Sequence, residues 1–202
     1  MKYISALFAL CLICLSACTT VPQITPSAAA PGNYTLDPQH VSVIWRIRHS
    51  GLSNYTARFD KATGTLNFDP AAPATSSVDI RIDPKSVNTG LPDFNETIAT
   101  GGNYLDGDTY PEIRFTSTNI NITGEARGTI TGDLTLKGVT HPVELDVVFN
   151  GVGKTFGNPG DTLGFSATGK FLRSNFGINH LLNFGIGDEI TLLIEAEFNE
   201  AR

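Results

Sequence analysis

Four histidines, one arginine at the end of an aromatic run and a few loop carboxylates are the residues of this chain suited to acid–base chemistry, metal ligation or anion recognition. No two of His40, His49, His141 and His180 stand at i+2, i+3 or i+4, and no carboxylate joins them at a familiar ligand spacing, so no metal site is assigned. His49 shares the parity of Trp45 and should point inward or to a rim, where an imidazole meets a polar head group or satisfies a backbone carbonyl. His40 follows the turn at Asp37-Pro38 and reads as a local contact, His141 precedes Pro142 in a turn, and His180 lies in the loop after Phe176. Arg173 ends a strand carrying Phe171 and leads into Ser174-Asn175-Phe176-Gly177. A guanidinium there either grips a phosphate or carboxylate head in a bidentate contact or forms a surface ion pair.

Enzyme signatures are absent: there is no Gly-x-Ser-x-Gly elbow, no Gly-x-Gly-x-x-Gly opening a helix, no phosphate loop and no His-Glu-x-x-His. Ser166 lies inside an expected strand, and Asp106 and Asp108 in a turn-rich loop are suited to capping backbone groups. No catalytic residue and no cofactor is assigned on this basis.

The elements that would position these groups are strands. Val41, Val43, Trp45 and Ile47 occupy one parity while Ser42, Arg46 and Arg48 occupy the other, the period of a half-buried strand. Similar runs recur at Val78-Ile80-Ile82, Ile113-Phe115, Ile130 to Leu136, Val143 to Phe149, Leu163 to Phe171 and Ile190 to Phe198, with shorter pieces near Tyr55 and Thr65. Close turns such as Lys137-Gly138 and Gly157-Asn158-Pro159-Gly160 separate them, which favours antiparallel neighbours. Only residues 86–105 break the alternation, and a short helix is expected between Pro92 and Thr100, ended by Gly101-Gly102.

Eight or so antiparallel strands remove their edges by closing, so the expected fold is all-β: an eight-stranded, or nearly eight-stranded, antiparallel barrel about 25 Å tall, with a sandwich as the alternative. Its outer positions, among them Asp79, Arg81, Arg114, Glu144 and Asp146, are polar, which places water outside and apolar side chains inside.

The N-terminus addresses compartment. Residues 1–17 form an apolar run after Lys2, roughly 22 Å long as a helix against the roughly 30 Å of a hydrocarbon core, and so read as a signal peptide. Leu15-Ser16-Ala17-Cys18 resembles a lipoprotein lipobox, which implies a lipidated Cys18 and a periplasmic protein tethered to a membrane; Thr19, where no Asp stands, resembles the outer-membrane sorting pattern. All three cysteines lie within the first 18 residues, so the body of the chain has no thiol for a disulfide. Residues 18–32, with three prolines and no charge, read as a flexible linker, and residues 33–202 as the folded domain.

Of 202 residues, 41% are apolar and 17% charged, enough for one buried core and against disorder. The net charge of −6 and the lack of any basic run argue against a nucleic-acid partner, and nothing fixes the oligomeric state.

Tyr34-Thr35-Leu36-Asp37, then His40 through His49, then Tyr110-Pro111-Glu112-Ile113-Arg114-Phe115, Gly132 through Thr140 and Arg173 through Ile178 together resemble the YceI-like, polyisoprenoid-binding domain, from about Asn33 to Phe198. The resemblance implies a lipocalin-like barrel with a hydrophobic tunnel for an isoprenoid, a quinone or polyprenyl phosphate, or a similar amphiphile, exported to the bacterial periplasm. Asn95-Glu96-Thr97-Ile98 and Asn175 depart from the acidic and histidine positions common in the family, so head-group contacts are not carried over.

Parity nominates the lining: Trp45, Ile47 and His49 on one strand, and Phe115, Phe165 and Phe171 on others. Phe94, Ile98, Tyr104 and Leu105 are candidates for a cover or gate, with Arg173 and Phe176 at the mouth. A lipid-like substrate for an enzyme, or an envelope protein whose barrel is filled by its own side chains, are the alternatives to a carrier.

Overall fold

The computed structural model describes residues 21–201, so the apolar N-terminal run and Cys18 lie outside the described residues. The alternating segments form ten strands: β1 (Gly32–His49), β2 (Ser53–Phe59), β3 (Ala62–Phe68), β4 (Ser77–Ile82), β5 (Val87–Asn88), β6 (Ile113–Gly124), β7 (Arg127–Leu136), β8 (Val139–Gly153), β9 (Thr162–Leu172) and β10 (Ile186–Glu200). One helix, α1 (Pro92–Thr100), interrupts them. Pro92 at its start supplies a preset φ, Asp93 places a carboxylate in its first turn, and Gly101 closes it by donating its N–H to Thr97 O at 3.0 Å.

Hydrogen-bonded neighbours run β10-β9-β8-β7-β6-β4-β3-β1, all antiparallel, and β1 pairs back onto β10. The ring is therefore the eight-stranded antiparallel barrel expected from the alternation. β1 is long enough to serve two partners on its other side: Gly32–Thr35 pair with β3 and Val43–His49 with β2. β5 pairs only with the end of β2, and α1 packs over this region, with Ile98 and Ala99 buried against Val87. The strand alternation puts ion pairs such as Arg114–Asp79 and Lys170–Glu189 on the outer face, where each contributes little.

Between Leu36 and Val41 the register against β10 breaks, leaving Asp37 to His40 opposite Glu197. Pro38 has no N–H to give to the ladder and suits such a bulge. Asp37 accepts from Gln39 N at 2.9 Å and from Asn199 at 3.0 Å and meets His40 Nδ1 at 3.0 Å, the local contact expected of His40. His141 lies within β8 and not in a turn; the turn is at Lys137-Gly138, where both residues have positive φ.

The stretch expected as a flexible linker is docked from Gln23 onward. Gln23 exchanges two 2.9 Å backbone bonds with Val152, Pro26–Ala28 make a 3-10 turn, Ala29 is buried, and Ala30 N–H donates to the Asp161 carboxylate at 3.0 Å. Its anchoring is by backbone bonds to distant residues, which leave no periodic trace in sequence.

Two glycines in the wall make room for the lumen side chains of their neighbours. A Cβ on Gly132 of β7 would stand 2.3 Å from the Phe115 ring and 2.7 Å from Thr116 O; one on Gly169 of β9 would stand 2.5 Å from the Leu145 side chain. Phe115 and Leu145 thus lie across a neighbouring strand. Gly132→Ala should lower stability by about 1–3 kcal/mol through overpacking, read as a fall in the urea midpoint.

Tyr34 has no accessible surface, and its hydroxyl donates to Ala30 O at 2.6 Å. Burial first, then the Asp161 and Glu200 carboxylates, push the phenol from 10.0 up to about 12. Because the folded value lies above the unfolded one, this contribution to stability is complete below about pH 10 and is lost as pH rises towards 12. Urea midpoints at pH 9 and pH 11 should therefore fall further for the wild type than for Tyr34→Phe.

Candidate functional site

Inside the barrel lies a cavity of about 460 Å³, within the roughly 300–1,000 Å³ of small-ligand pockets, and its lining is almost wholly apolar. β1 contributes Trp45, Ile47 and His49, and β2 adds Tyr55 and Phe59. Phe115 enters from β6, Phe165 and Phe171 from β9, and Leu192 and Ile194 from β10. These side chains meet because successive inward positions of antiparallel strands share one face and the wall is closed.

One end of the cavity is plugged. Phe165 and Phe198 line it there, and Phe165 packs edge-on to Phe68, Phe149 and Phe198 with centroid distances of 6.4, 5.4 and 5.9 Å. Behind them Tyr34, Leu36 and Leu163 complete a solid core.

At the other end the covering pieces are α1 and two loops. Phe94 and Ile98 come from the helix, Tyr104 and Leu105 from the segment after it, and all four line the cavity. Tyr104 meets His180 edge-on at 5.1 Å, joining this cover to the loop between β9 and β10. That loop is in turn tied to the β1–β2 turn by Ser50 N–H donating to Gly185 O at 2.7 Å. His49, His180, Leu181 and Ile186 line this end, and Leu52 and Phe184 stand exposed on the two tied turns.

Arg173 belongs to the lining, and most of its hydrogen-bonding capacity is engaged by the protein itself. It is 5% exposed, and its guanidinium donates through Nε to Gly187 O at 2.8 Å, through one terminal nitrogen to Ile178 O at 3.0 Å and through the other to Ile186 O at 3.3 Å. Burial lowers its pKa, against the opposing pull of Asp188 and Tyr104. Asp188 also accepts from Ser174 N–H at 2.9 Å and from its hydroxyl at 2.7 Å. The charge is spent on holding the loop to the start of β10.

Phe176 is buried but does not line the cavity. The 3-10 turn Arg173–Phe176 packs its ring in the core with Ile113, Leu136 and Val143, edge-on to Phe171 at 5.3 Å and His141 at 5.4 Å.

Several lining residues were not singled out from sequence. Ile80, Ile82, Leu192 and Ile194 carry the same parity signal as the chosen phenylalanines, and Tyr55 carries it in the short Tyr55-Ala57-Phe59 alternation. His180, Leu181 and Ile186 come from or border an irregular loop, and no periodicity marks them.

Among the described residues, Trp45 Nε1 and Tyr55 Oη are the buried side-chain polar atoms with no hydrogen-bonding partner. Asp37, His40 and Glu197 have ligand atoms within 4.8 Å of one another, but none of the three lines the cavity, and the Asp37 carboxylate is engaged as described above.

Comparison with known proteins places these features in a family context. The model of the YceI-like domain matches residues 34–198. A UPF0312 protein of Pseudomonas putida (strain W619) is 35% identical over 159 residues, covering 77% of this chain and 81% of the relative. Protein YceI of Shigella flexneri is 34% identical over 179 residues, covering 87% and 91%. Among solved structures, the YCEI protein of Campylobacter jejuni is similar with a TM-score of 0.66 and 30% identity, covering 75% of this chain and 88% of that one. A polyisoprenoid binding domain from Saccharophagus degradans has a TM-score of 0.63 at 16% identity, covering 83% and 98%, a likeness of fold.

Removing the guanidinium leaves three carbonyls and Asp188 without it. Arg173→Ala should cost about 3 kcal/mol of stability, measured by denaturant titration, because buried partners are orphaned. Arg173→Lys should recover less than half, since an ammonium cannot present the same planar fork to three carbonyls.

Proposed function

The chain belongs to the YceI-like family, and from that premise we propose that it binds an isoprenoid-type lipid, with the tail in the barrel cavity, and sequesters or ferries it in the bacterial periplasm. The observation that carries this reading is the cavity itself: about 460 Å³, apolar, plugged by phenylalanines at one end and covered by α1 and two loops at the other. Such a space takes up hydrocarbon because burial removes apolar surface from water, about 0.8 kcal/mol per methylene, less the cost of ordering the tail. The plug sets a limit: a tail longer than the cavity must fold back or protrude through the covered end.

The ligand class rests on the description of the Saccharophagus degradans fold relative as a polyisoprenoid binding domain and on the family resemblance. Of the two head-group classes, the neutral one is favoured. Three of the five N–H groups of the lining arginine already donate to backbone carbonyls, which weakens the case for a bidentate phosphate contact. The absence of catalytic motifs in the sequence supports binding over turnover. A cavity of this size also speaks against a barrel filled by its own side chains.

We further infer that residues 1–17 are a signal peptide and that Cys18 carries lipid, tethering the domain, most simply to the outer membrane; Leu15-Ser16-Ala17-Cys18 followed by Thr19 supports this.

The full chain, expressed in a bacterial host and affinity-purified, tests both parts. Its mass under denaturing conditions should equal the chain from Cys18 plus acyl groups. Organic extraction should release a stoichiometric prenyl lipid, a quinone before a polyprenyl phosphate. Protein that is reproducibly empty and refuses added isoprenoids would sink the carrier reading, and an unmodified Cys18 the anchor.

A further inference from the structure

The plug at the end of the cavity is not equally thick on all sides. Toward β1 and β9 it backs onto the core of Tyr34, Leu36 and Leu163. Toward β6 and β7 it backs onto a second cavity of about 90 Å³, bounded by Phe68, Phe149, Ile120 and the β6–β7 turn, with Pro26 and Pro73 across it. Four side chains, Leu66, Ile130, Val147 and Phe165, line both spaces. The wall between the two cavities is therefore a single layer of side chains, and Phe165 is the largest of them.

This partition is packed differently from the core beside it. Ile130, Val147 and Phe165 keep accessible surface although they line the interior, as groups facing a void do. Phe165 is nonetheless held in place. Its ring is edge-on to Phe68 and Phe149, which line the small cavity, at 6.4 and 5.4 Å, and to Phe198, which lines the large one, at 5.9 Å. A ring braced by three others is a stop and not a flap. Beyond it the small cavity reaches the surface, where its lining residues Ile122, Glu125 and Arg127 are exposed.

We propose that Phe165 is the length-determining residue of the lipid site: its ring stops the far end of an isoprenoid tail, and the small cavity behind it is a further tail compartment that the ring closes off. This rests on the lipid-carrier reading and adds which tail lengths the carrier favours. Each isoprene unit that finds room removes apolar surface from water and tightens binding, while a unit beyond the stop leaves through the covered end and adds little. Because the second space is small and ends in water, opening it adds room for about one five-carbon unit.

The test is a series of prenyl alcohols from geraniol to hexaprenol, each one isoprene unit longer than the last. Binding is followed by the fluorescence of Trp45, the sole tryptophan of the chain and a lining residue. In the wild type each unit should tighten binding by about tenfold until the stop is reached, and the next by less than about twofold. In Phe165→Leu, which keeps an apolar side chain in the wall, the break should move to an alcohol one unit longer, with the shorter alcohols bound as before. A second measurement needs no substitution. A diazirine at the tail end of the longest alcohol that still gains affinity should label Phe165 or Phe198 in the wild type. Affinity that climbs through the series without a break, a break at the same length in both proteins, or labelling at Trp45 or Phe94 under the cover overturns the stop and leaves the carrier reading standing. Failure of every alcohol to bind overturns both.

Discussion

The pairing of β1 with β10 along almost all of both strands turns a meander into a closed wall, and the remaining structure depends on that closure. An open eight-stranded sheet would present two unpaired edges and one broad apolar face, each needing cover. Closure satisfies the edges with each other and turns the apolar face inward. The bulge at Asp37 to His40 does not interrupt the seam, since pairing resumes at Val41 opposite Ala196. β1 also explains why the barrel is more elaborate at one end. Being long enough to meet β3 and then β2, it carries the wall beyond β3 and β4, and the resulting gap is where β5, α1 and the loop after it are needed.

Closure alone would give a filled core; a lumen requires that inward side chains be kept from meeting. At the plugged end they do meet, with Phe165 packed against Phe68, Phe149 and Phe198 in one core with Tyr34 and Leu163. Nearer the covered end Phe115 and Leu145 lie across Gly132 and Gly169, so their bulk follows the wall and leaves the axis open. The same apolar composition therefore serves two purposes, core at one end and binding surface at the other. The division is made by where glycine stands in the neighbouring strand.

This accounts for what could be read in the sequence. The strands, their antiparallel order, α1 and the inward faces of Trp45, Ile47, Phe115, Phe165 and Phe171 follow from a period of two and from turn residues, both local signals. The role of Arg173 does not, because its partners are backbone carbonyls at Ile178, Ile186 and Gly187, brought together by a loop with no periodicity. The position of Phe176 after Arg173 suggests the mouth, but the 3-10 turn packs its ring into the core beneath the lining. The segment from Gln23 to Ala30 looked free because proline and alanine carry no amphipathic pattern, yet it is held by its main chain to Val152 and Asp161. Contacts that run through the backbone leave little trace in residue identity.

The barrel treats its buried polar groups in two opposite ways. Around Arg173 three donors are matched to backbone carbonyls and the loop is fixed to the start of β10. Trp45 Nε1 and Tyr55 Oη, by contrast, are buried without a partner. A fold optimised for stability alone would treat both places alike, since an unmatched donor is among the more costly features a core can contain. The matched site stabilises the covered end against opening, and the unmatched pair costs the fold the desolvation of two donors.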